Sequence, residues 1–187
     1  MVLALFKTDG KIYNPRIVPP EPVFGEISEI KRRFEAVFGK QPLSVSKPHI
    51  TLASFKMDRQ DEGILLNTFS GLETVGKFQL EIQGFDNFGE GSTVLLLKVI
   101  KSRELEKIQG DLKVLWTTNL RRKPTTLTLP DRPHITISKT HGKEMMDKSL
   151  AFFRKMDYKR RFEVAQLILV SRYAGGRWDS EHQIKLA

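Results

Sequence analysis

The sequence predicts an α+β fold with an internal duplication. Helix-like and strand-like segments alternate along the 187 residues, and each half of the chain has the order strand, helix, strand, helix, strand. The middle strand of each half carries nearly the same motif, Lys47-Pro48-His49-Ile50-Thr51-Leu52 and Arg132-Pro133-His134-Ile135-Thr136-Ile137. We therefore expect a single domain made of two pseudo-symmetric lobes, about 1–88 and 89–187. The alternative is an α+β domain whose elements alternate by coincidence.

The first half begins with a mainly apolar segment at residues 2–7, which predicts a buried strand. A loop follows, marked by Asn14-Pro15 and by the proline-rich segment 19–22. A helix is predicted over 25–39, because its apolar residues form one stripe at helical spacing. The residues of this stripe are Ile27, Ile30, Phe34 and Val37.

The first histidine motif comes next, in a strand-like run at 46–55. Apolar positions at helical spacing then predict a helix at about 61–73. Residues 78–82 alternate between apolar and polar, which is typical of a half-buried strand. The segment 84–91 holds three glycines and is the expected boundary between the halves.

The second half repeats this order at nearly constant spacing, which favours duplication over coincidence. A basic, threonine-rich connection at 121–124 precedes the second histidine strand, and Gly175-Gly176 predicts a hairpin turn near the end. The remaining predicted elements are a strand at 93–100, a helix at 103–120, a helix at 143–156, a strand at 161–171 and a short strand at 182–186.

The composition is that of a globular protein with an anionic partner. The formal charge is +9, which favours nucleic acid or a phosphorylated small molecule. The absence of cysteine excludes disulfides, thiolate metal sites and cysteine nucleophiles. No apolar run approaches the length of a membrane span, and the first residues lack the features of a signal peptide. We therefore expect a cytoplasmic protein that does not bind membranes.

Strand alternation separates each histidine motif into two faces. Side chains two residues apart share a face, so His49 lies with Thr51, and His134 lies with Thr136. The aliphatic residues of each motif take the opposite face and are natural core residues. If the lobes are related by a pseudo-twofold axis, the two His–Thr pairs meet across one cleft.

Two histidines and two threonines suit phosphodiester chemistry. One neutral imidazole can take a proton from water or a ribose hydroxyl, and the other, as imidazolium, can protonate the leaving oxygen. The hydroxyls of Thr51 and Thr136 can donate to nonbridging phosphate oxygens. The motifs would then provide both the acid/base groups, His49 and His134, and the groups that hold the phosphate.

Other interpretations of the two motif histidines agree less well with the sequence. A single His-x-Thr on a strand is most often structural, but two matching copies reverse those odds. A zinc site is disfavoured, because each strand supplies one nitrogen ligand and no H-E-x-x-H spacing is present. A serine hydrolase is disfavoured because there is no G-x-S-x-G elbow. We therefore expect no metal and no cofactor.

The paired motifs around His49 and His134 resemble the H-x-T-x signatures of the two-histidine (2H) phosphoesterase superfamily. They are most similar to its bacterial branch of 2′-5′ RNA ligases and RNA cyclic phosphodiesterases. The resemblance implies a bilobal α+β fold with two mainly antiparallel sheets facing a central cleft. It also implies that His49 and His134 are the acid/base pair and that Thr51 and Thr136 hold the phosphate. Which histidine is the acid stays open, because the motifs are nearly symmetric.

Four further residues are candidates for substrate binding. Lys47 and Arg132 each lie two residues before a histidine and could contact flanking phosphates. Phe55 shares the nominal face of His49 and either stacks on a base or packs in the core. Tyr173 ends a late strand and either lines the cleft or is a solvated strand end.

The leading functional hypothesis is a metal-independent phosphodiesterase acting on RNA termini or small nucleotides with 2′,3′-cyclic or 2′-5′ phosphodiester groups. We expect the protein to be a monomer. The alternatives are 2′-5′ RNA ligase activity and a noncatalytic RNA- or nucleotide-binding module, which the basic composition would also suit.

Overall fold

The computed structural model describes residues 10–120, 127–178 and 180–187. The predicted strand at 2–7 and the basic connection at 121–124 lie outside the described residues. The strands are β1 Gly10–Ile17, β2 Ile50–Thr51, β3 Phe55–Asp58, β4 Phe78–Asp86, β5 Val94–Val99, β6 His134–Lys139, β7 Lys159–Val164, β8 Gln166–Tyr173 and β9 Ser180–Lys185. The α-helices are α1 Val23–Phe38, α2 Glu62–Phe69, α3 Arg103–Leu115 and α4 Lys143–Arg154.

The strands form one open antiparallel sheet in the order β7-β4-β5-β6-β2-β1-β8-β9, with β3 also paired with β1. The predicted α+β class is therefore confirmed. The two expected sheets are the two halves of this sheet, and they are joined where β2 pairs with β6 through Ile50 and Ile135.

The sheet exchanges strands between the two halves of the chain. Strand β4, which ends the first half, pairs with β5 and β7. Strand β8, near the end of the second half, pairs with β1 and β9. The two halves of the sheet therefore do not coincide with residues 1–88 and 89–187. That these two segments arose by duplication of one lobe stays a prediction.

The loop predicted around Asn14-Pro15 is wrong, because both residues lie inside β1. The carbonyl of Pro15 accepts a hydrogen bond from the Leu52 amide at 2.9 Å. The N–H and C=O groups of one strand residue point to the same side of the strand. The N–H that Pro15 lacks would therefore point toward the end of β2, so its absence does not interrupt the hydrogen bonds between β1 and β8. The Asn14 side-chain amide donates to the Ala53 carbonyl at 2.9 Å, which holds the segment between β2 and β3 against β1.

The predicted strand at 161–171 is in fact two strands, β7 and β8, separated by Ala165 alone. These strands pair in opposite halves of the sheet. One residue spans less than about 4 Å, so the sheet must curve until the end of β7 meets the start of β8. Strand periodicity did not report this break, because strand-like apolar residues continue across it, from Phe162 and Val164 in β7 to the buried run 167–170 in β8.

The predicted helices are present; α1 begins two residues earlier than predicted, and the other three have shorter α-helical parts. A 3-10 turn, Ser70–Thr74, continues α2, and a π turn, Trp116–Leu120, continues α3. The apolar stripe of α1 is buried except for Val37, which is 50% exposed. Phe38 packs against α4 in its place, with its ring edge-on to Phe152 at 5.7 Å. None of the helices in the described part of the chain has the length and apolar composition to cross a bilayer.

Candidate active site

The two histidine motifs meet at the junction of β2 and β6. Ile50 pairs with Ile135, and both side chains are fully buried. Continuing this antiparallel register by one residue in each direction places His49 opposite Thr136 and Thr51 opposite His134. These four residues lie on the face away from the buried isoleucines, and all four are half-buried. The structure thus brings together the four residues that the motifs predicted.

The two imidazoles are oriented by equivalent hydrogen bonds. The Nδ1–H of His49 donates to the Lys47 carbonyl at 2.7 Å, and that of His134 donates to the Arg132 carbonyl at 2.8 Å. A carbonyl oxygen only accepts, so Nδ1 carries the proton in both neutral rings. The lone pair is then on Nε2, the nitrogen available for proton transfer. Lys47 and Arg132 act here through their backbone carbonyls, a role that the motifs did not reveal.

Both histidines are biased toward the neutral form. Burial, reinforced by the positive charges of Arg16 and Lys31, lowers the pKa of His49 to about 4. Burial also lowers the pKa of His134 below its usual value, with a further lowering from the Arg132 guanidinium. The cationic neighbours of the two rings differ, so the site is less symmetric than its sequence.

Arg16 is a candidate site residue that sequence reasoning missed. It lies on β1 directly opposite Thr51, and only 7% of its surface is exposed. Its Nε donates to the Asn14 side-chain oxygen at 3.0 Å, while its Nη2 is buried with no hydrogen-bond partner among the described residues. Burial lowers the pKa of Arg16 to about 10, so the guanidinium is still charged at neutral pH.

Nothing in the sequence singles out Arg16. It lies in the segment predicted as a loop, and the duplication does not repeat it. On β5, the position opposite Thr136 is occupied by Leu96. The cation on β1 is therefore opposite the threonine of the first motif, whereas the cation on β5, Lys98, is opposite the histidine of the second.

A cavity of about 410 Å³ opens beside His49. Arg16, Lys47, Trp178 and Glu181 are among its lining residues. Trp178 is 41% exposed, and its ring centroid lies 4.6 Å from the Arg16 guanidinium carbon. The volume is within the range of small-molecule sites.

The side of the site next to His134 is arranged differently. The Phe88 ring packs edge-on against the His134 ring, with centroids 4.7 Å apart. Arg132 donates to the Asp86 carboxylate at 3.0 Å and to the Asn87 carbonyl at 3.2 Å. The side chain of Arg132 is therefore engaged in holding the β4–β5 turn near His134.

Two helices hold the motifs across the halves of the chain. The Lys31 ammonium on α1 donates to the carbonyls of Thr136 and Ile137, each at 2.8 Å. The Gln109 amide on α3 donates to the Leu52 carbonyl at 3.4 Å. Each helix thus contacts the histidine motif of the other half, which supports the relative placement of β2 and β6.

Phe55, one of the predicted binding residues, lies in the core and not at the site. It is only 3% exposed, and its ring stacks on Tyr13 at 5.6 Å and contacts Trp116 at 4.6 Å. The structure therefore places Phe55 in the core, as the alternative interpretation had it, and away from the shared face of the motifs.

Tyr173, another predicted binding residue, lies away from the two motifs. It pairs with Lys11, which is five residues along β1 from Arg16. At about 3.3 Å per residue this is roughly 16 Å from the level of Thr51. The Tyr173 hydroxyl accepts a hydrogen bond from Arg59 at 3.4 Å. Strand assignment alone could not show which end of β8 faces the site.

In the described part of the chain, no group of three or more histidine, aspartate or glutamate side chains is placed to hold a metal ion. The two motif histidines each present one nitrogen to the shared face. The chemistry available from the described side chains is therefore proton transfer by imidazole and hydrogen bonding by hydroxyl and guanidinium groups.

Comparison with known proteins identifies both a family and a set of similar folds. A sequence model of the 2′-5′ RNA ligase superfamily matches residues 19–176. Sequence comparison with curated proteins finds no match.

Several solved structures share this fold at low sequence identity. TT0787 of Thermus thermophilus is 17% identical, with a TM-score of 0.65 over 94% of this chain and 98% of that one. LigT of E. coli complexed with 3′-AMP is 17% identical, with a TM-score of 0.61 over 96% of each chain. LigT complexed with NADP⁺ is 18% identical, with a TM-score of 0.59 over 95% of this chain and 96% of that one.

Proposed function

Because this chain belongs to the 2′-5′ RNA ligase superfamily, we propose that it is a metal-independent phosphodiesterase. Its substrates are 2′,3′-cyclic or 2′-5′ phosphodiesters of RNA ends or small nucleotides. The observation that carries this proposal is the pairing of β2 with β6, which gathers two His–Thr pairs on one face. The nucleotide complexes of the structurally similar E. coli LigT support a nucleotide ligand.

His49 is the general base in this proposal, and His134 is the general acid. The pKa of His49 is lowered to about 4, so its Nε2 carries a lone pair at neutral pH. Two cations, Arg16 and Lys31, lower the pKa of His49, whereas one cation, Arg132, lowers that of His134. The ring of His134 therefore takes up a proton more readily than that of His49 when an anionic phosphate binds between them.

Hydrolysis of a 2′,3′-cyclic phosphate then proceeds by in-line substitution. His49 Nε2 accepts a proton from water as the water oxygen bonds to phosphorus. The bond between phosphorus and one ribose oxygen breaks, and His134 donates its Nε2 proton to that oxygen. His49 leaves the step protonated and His134 neutral, and exchange with solvent restores the starting state.

Thr51, Thr136 and Arg16 stabilise the charge on the phosphate in this mechanism. Each hydroxyl can donate to a nonbridging oxygen, and the Arg16 guanidinium, opposite Thr51 on β1, adds a positive charge beside the phosphate. Donors held in place before the reaction are most effective where water is largely excluded. The four motif residues are half-buried and Arg16 is almost fully buried, so water competes less for these groups than at an exposed surface.

The test is hydrolysis of 2′,3′-cyclic nucleotides in EDTA, comparing wild type with His49→Ala and His134→Ala. We expect unchanged wild-type activity on chelation and a loss of about 10²- to 10⁴-fold in each variant. His141→Ala is the matched control, since His141 is an exposed histidine outside both motifs. Loss of activity on chelation, or full activity in both motif variants, would contradict the mechanism.

The same groups suit 2′-5′ ligation, which the family description supports as a second candidate. A 5′-hydroxyl would replace water as the nucleophile on the cyclic phosphate, and His49 would take its proton. Incubating an RNA that ends in a 2′,3′-cyclic phosphate with a 5′-hydroxyl RNA tests this directly. A joined product that requires both histidines supports ligation. Nucleotide binding without turnover of either kind would instead indicate a binding module.

A further inference from the structure

The cavity beside His49 combines hydrogen-bond groups of opposite kinds. Arg16 contributes a donor, Glu181 contributes a carboxylate acceptor, and Trp178 forms an aromatic part of the wall. Because the cavity includes His49, a ligand bound there is continuous with the phosphate site. An aromatic wall with polar groups of both kinds favours a planar heterocycle over an aliphatic or purely anionic ligand.

Arg16 indicates that this cavity is built to hold a polar ligand. Its guanidinium is nine-tenths buried and is held by Asn14 and by contact with Trp178. Its Nη2 nevertheless has no acceptor among the described residues. A buried charged donor without a partner is costly, so a ligand acceptor at this place would be strongly favoured.

Glu181 indicates which kind of ligand completes the cavity. Its carboxylate is close enough to Arg16 to raise the pKa of the guanidinium, in opposition to the effect of burial. Glu181 is the one carboxylate among the described residues that line the cavity, beside the cations Arg16 and Lys47. A base that offers an acceptor to Arg16 and N–H donors to Glu181 satisfies both kinds of group.

We propose that the cavity formed by Arg16, Trp178 and Glu181 binds the base of the nucleotide whose phosphate lies at His49, and that it selects guanine. Guanine O6 accepts from Arg16, and its N1–H and N2–H groups donate to the two carboxylate oxygens of Glu181. Adenine has no such pair of adjacent donors beside an acceptor. This selection rests on the proposed function, which provides the phosphate next to the base.

The experiment compares kcat/KM for 2′,3′-cyclic GMP and 2′,3′-cyclic AMP in wild type, Glu181→Gln and Glu163→Gln. We expect wild type to prefer the guanine substrate by about tenfold. Glu181→Gln should reduce this ratio by about tenfold, because an amide cannot accept both donors. Glu163→Gln is the matched control on β7, at the other end of the strand order, and should keep the wild-type ratio.

Calorimetric binding of 3′-GMP and 3′-AMP separates this inference from the proposed activity. Hydrolysis with equal rates for the two bases, or an equal loss for both in Glu181→Gln, overturns guanine selection and leaves the phosphodiesterase standing. Tighter binding of 3′-GMP that depends on Glu181, without hydrolysis of either substrate, supports the base site and overturns the proposed function. Equal binding of the two nucleotides by wild type overturns the base site.

Discussion

The two imidazoles occupy matching motifs but different electrostatic surroundings. Each Nδ1 is bonded to the carbonyl two residues earlier, which makes the local geometry equivalent. His49 differs because the guanidinium of Arg16 and the ammonium of Lys31 disfavour its protonation. Arg16 on β1 and Lys31 on α1 thus distinguish two motifs that the chain encodes almost identically.

This difference leads to an expected pH profile for the hydrolysis of 2′,3′-cyclic nucleotides. The base is lost as pH falls through the His49 pKa of about 4, and the acid is lost as pH rises through the His134 pKa, which lies below 6.5. The kcat/KM of the free enzyme should therefore be greatest on the acidic side of neutrality. Arg16→Gln should raise the His49 pKa and move the acidic limb to higher pH. An optimum above about pH 7 in wild type would contradict this assignment.

The lowered pKa of His49 also affects stability. Between pH 6.5 and 4 the unfolded chain binds a proton at this residue that the folded chain excludes. The contribution of His49 to the free energy of unfolding is therefore fully present above 6.5 and is lost as pH falls toward 4. Urea unfolding at about pH 5 and 7 should show a smaller pH dependence in His49→Gln than in wild type. An identical dependence would show that the ring titrates normally in the folded protein.

The threonine hydroxyls should contribute to catalysis more than to folding. Thr51→Val and Thr136→Val each remove a donor to a charged phosphate, a hydrogen bond worth about 1.5–3 kcal/mol. We expect kcat/KM for a 2′,3′-cyclic nucleotide to fall by roughly 10- to 150-fold in each variant. Thr117→Val is a control, because Thr117 is an exposed threonine outside the site. A change below about twofold in both motif variants would remove them from the phosphate site.

At the level of elements, helices α1 and α3 hold the opposite histidine motifs. Lys31 and Gln109 each donate to the carbonyl of the last residue in the motif of the other half, Ile137 and Leu52. Lys31 also donates to the carbonyl of Thr136. The position of Thr136 in β6 therefore depends on a helix that precedes the first motif in sequence.

Replacing Lys31 by methionine tests this link. The variant keeps the apolar stem but removes the donor from two strand carbonyls, so we expect a loss of about 1–3 kcal/mol in the free energy of unfolding. Because Thr136 would move relative to His49, kcat should fall more than KM changes. Arg32→Met, an exposed substitution on the same helix, should change stability by less than about 0.5 kcal/mol. Equal stability of wild type and Lys31→Met would show that the ammonium is not needed to hold β6.

Across the whole molecule, the exchange of β4 and β8 makes the two halves of the chain interdependent. Strand β4 has both of its partners after residue 88, and β8 pairs with β1 near the start of the described residues. A half of the chain by itself therefore lacks partners for its terminal strand. It also lacks the helix that contacts its own histidine motif, because α1 contacts the second motif and α3 contacts the first.

Separate fragments of residues 1–88 and 89–187 should accordingly fail to fold alone. Unpaired strand edges and an incomplete core leave too little buried area to offset the lost chain entropy. We expect no cooperative urea transition, followed by circular dichroism, for either fragment, and recovery of one when they are mixed. A cooperative transition for residues 1–88 alone would show instead that the first half is an independent lobe.

Local patterns in the sequence were sufficient to predict the helices and the face that each residue of the two histidine motifs occupies. The stripe of Ile27, Ile30 and Phe34 and the alternation around His49 and His134 are short-range signals, because helical and strand periodicities are set within a few residues. Duplication added the inference that the two motifs form one site. These predictions concern which face a residue lies on, and that is a local property.

The tertiary structure decided four features of this protein. They are the register between β2 and β6, the exchange of β4 and β8, the burial of Phe55 and the position of Arg16. Each depends on which distant segments pair, and strands with similar apolar alternation carry no local mark of their partner. The sequence by itself determined that two His–Thr pairs exist and which faces they occupy. Only the packing of the whole chain decided that they lie side by side, that Arg16 distinguishes them, and that a cavity opens next to His49.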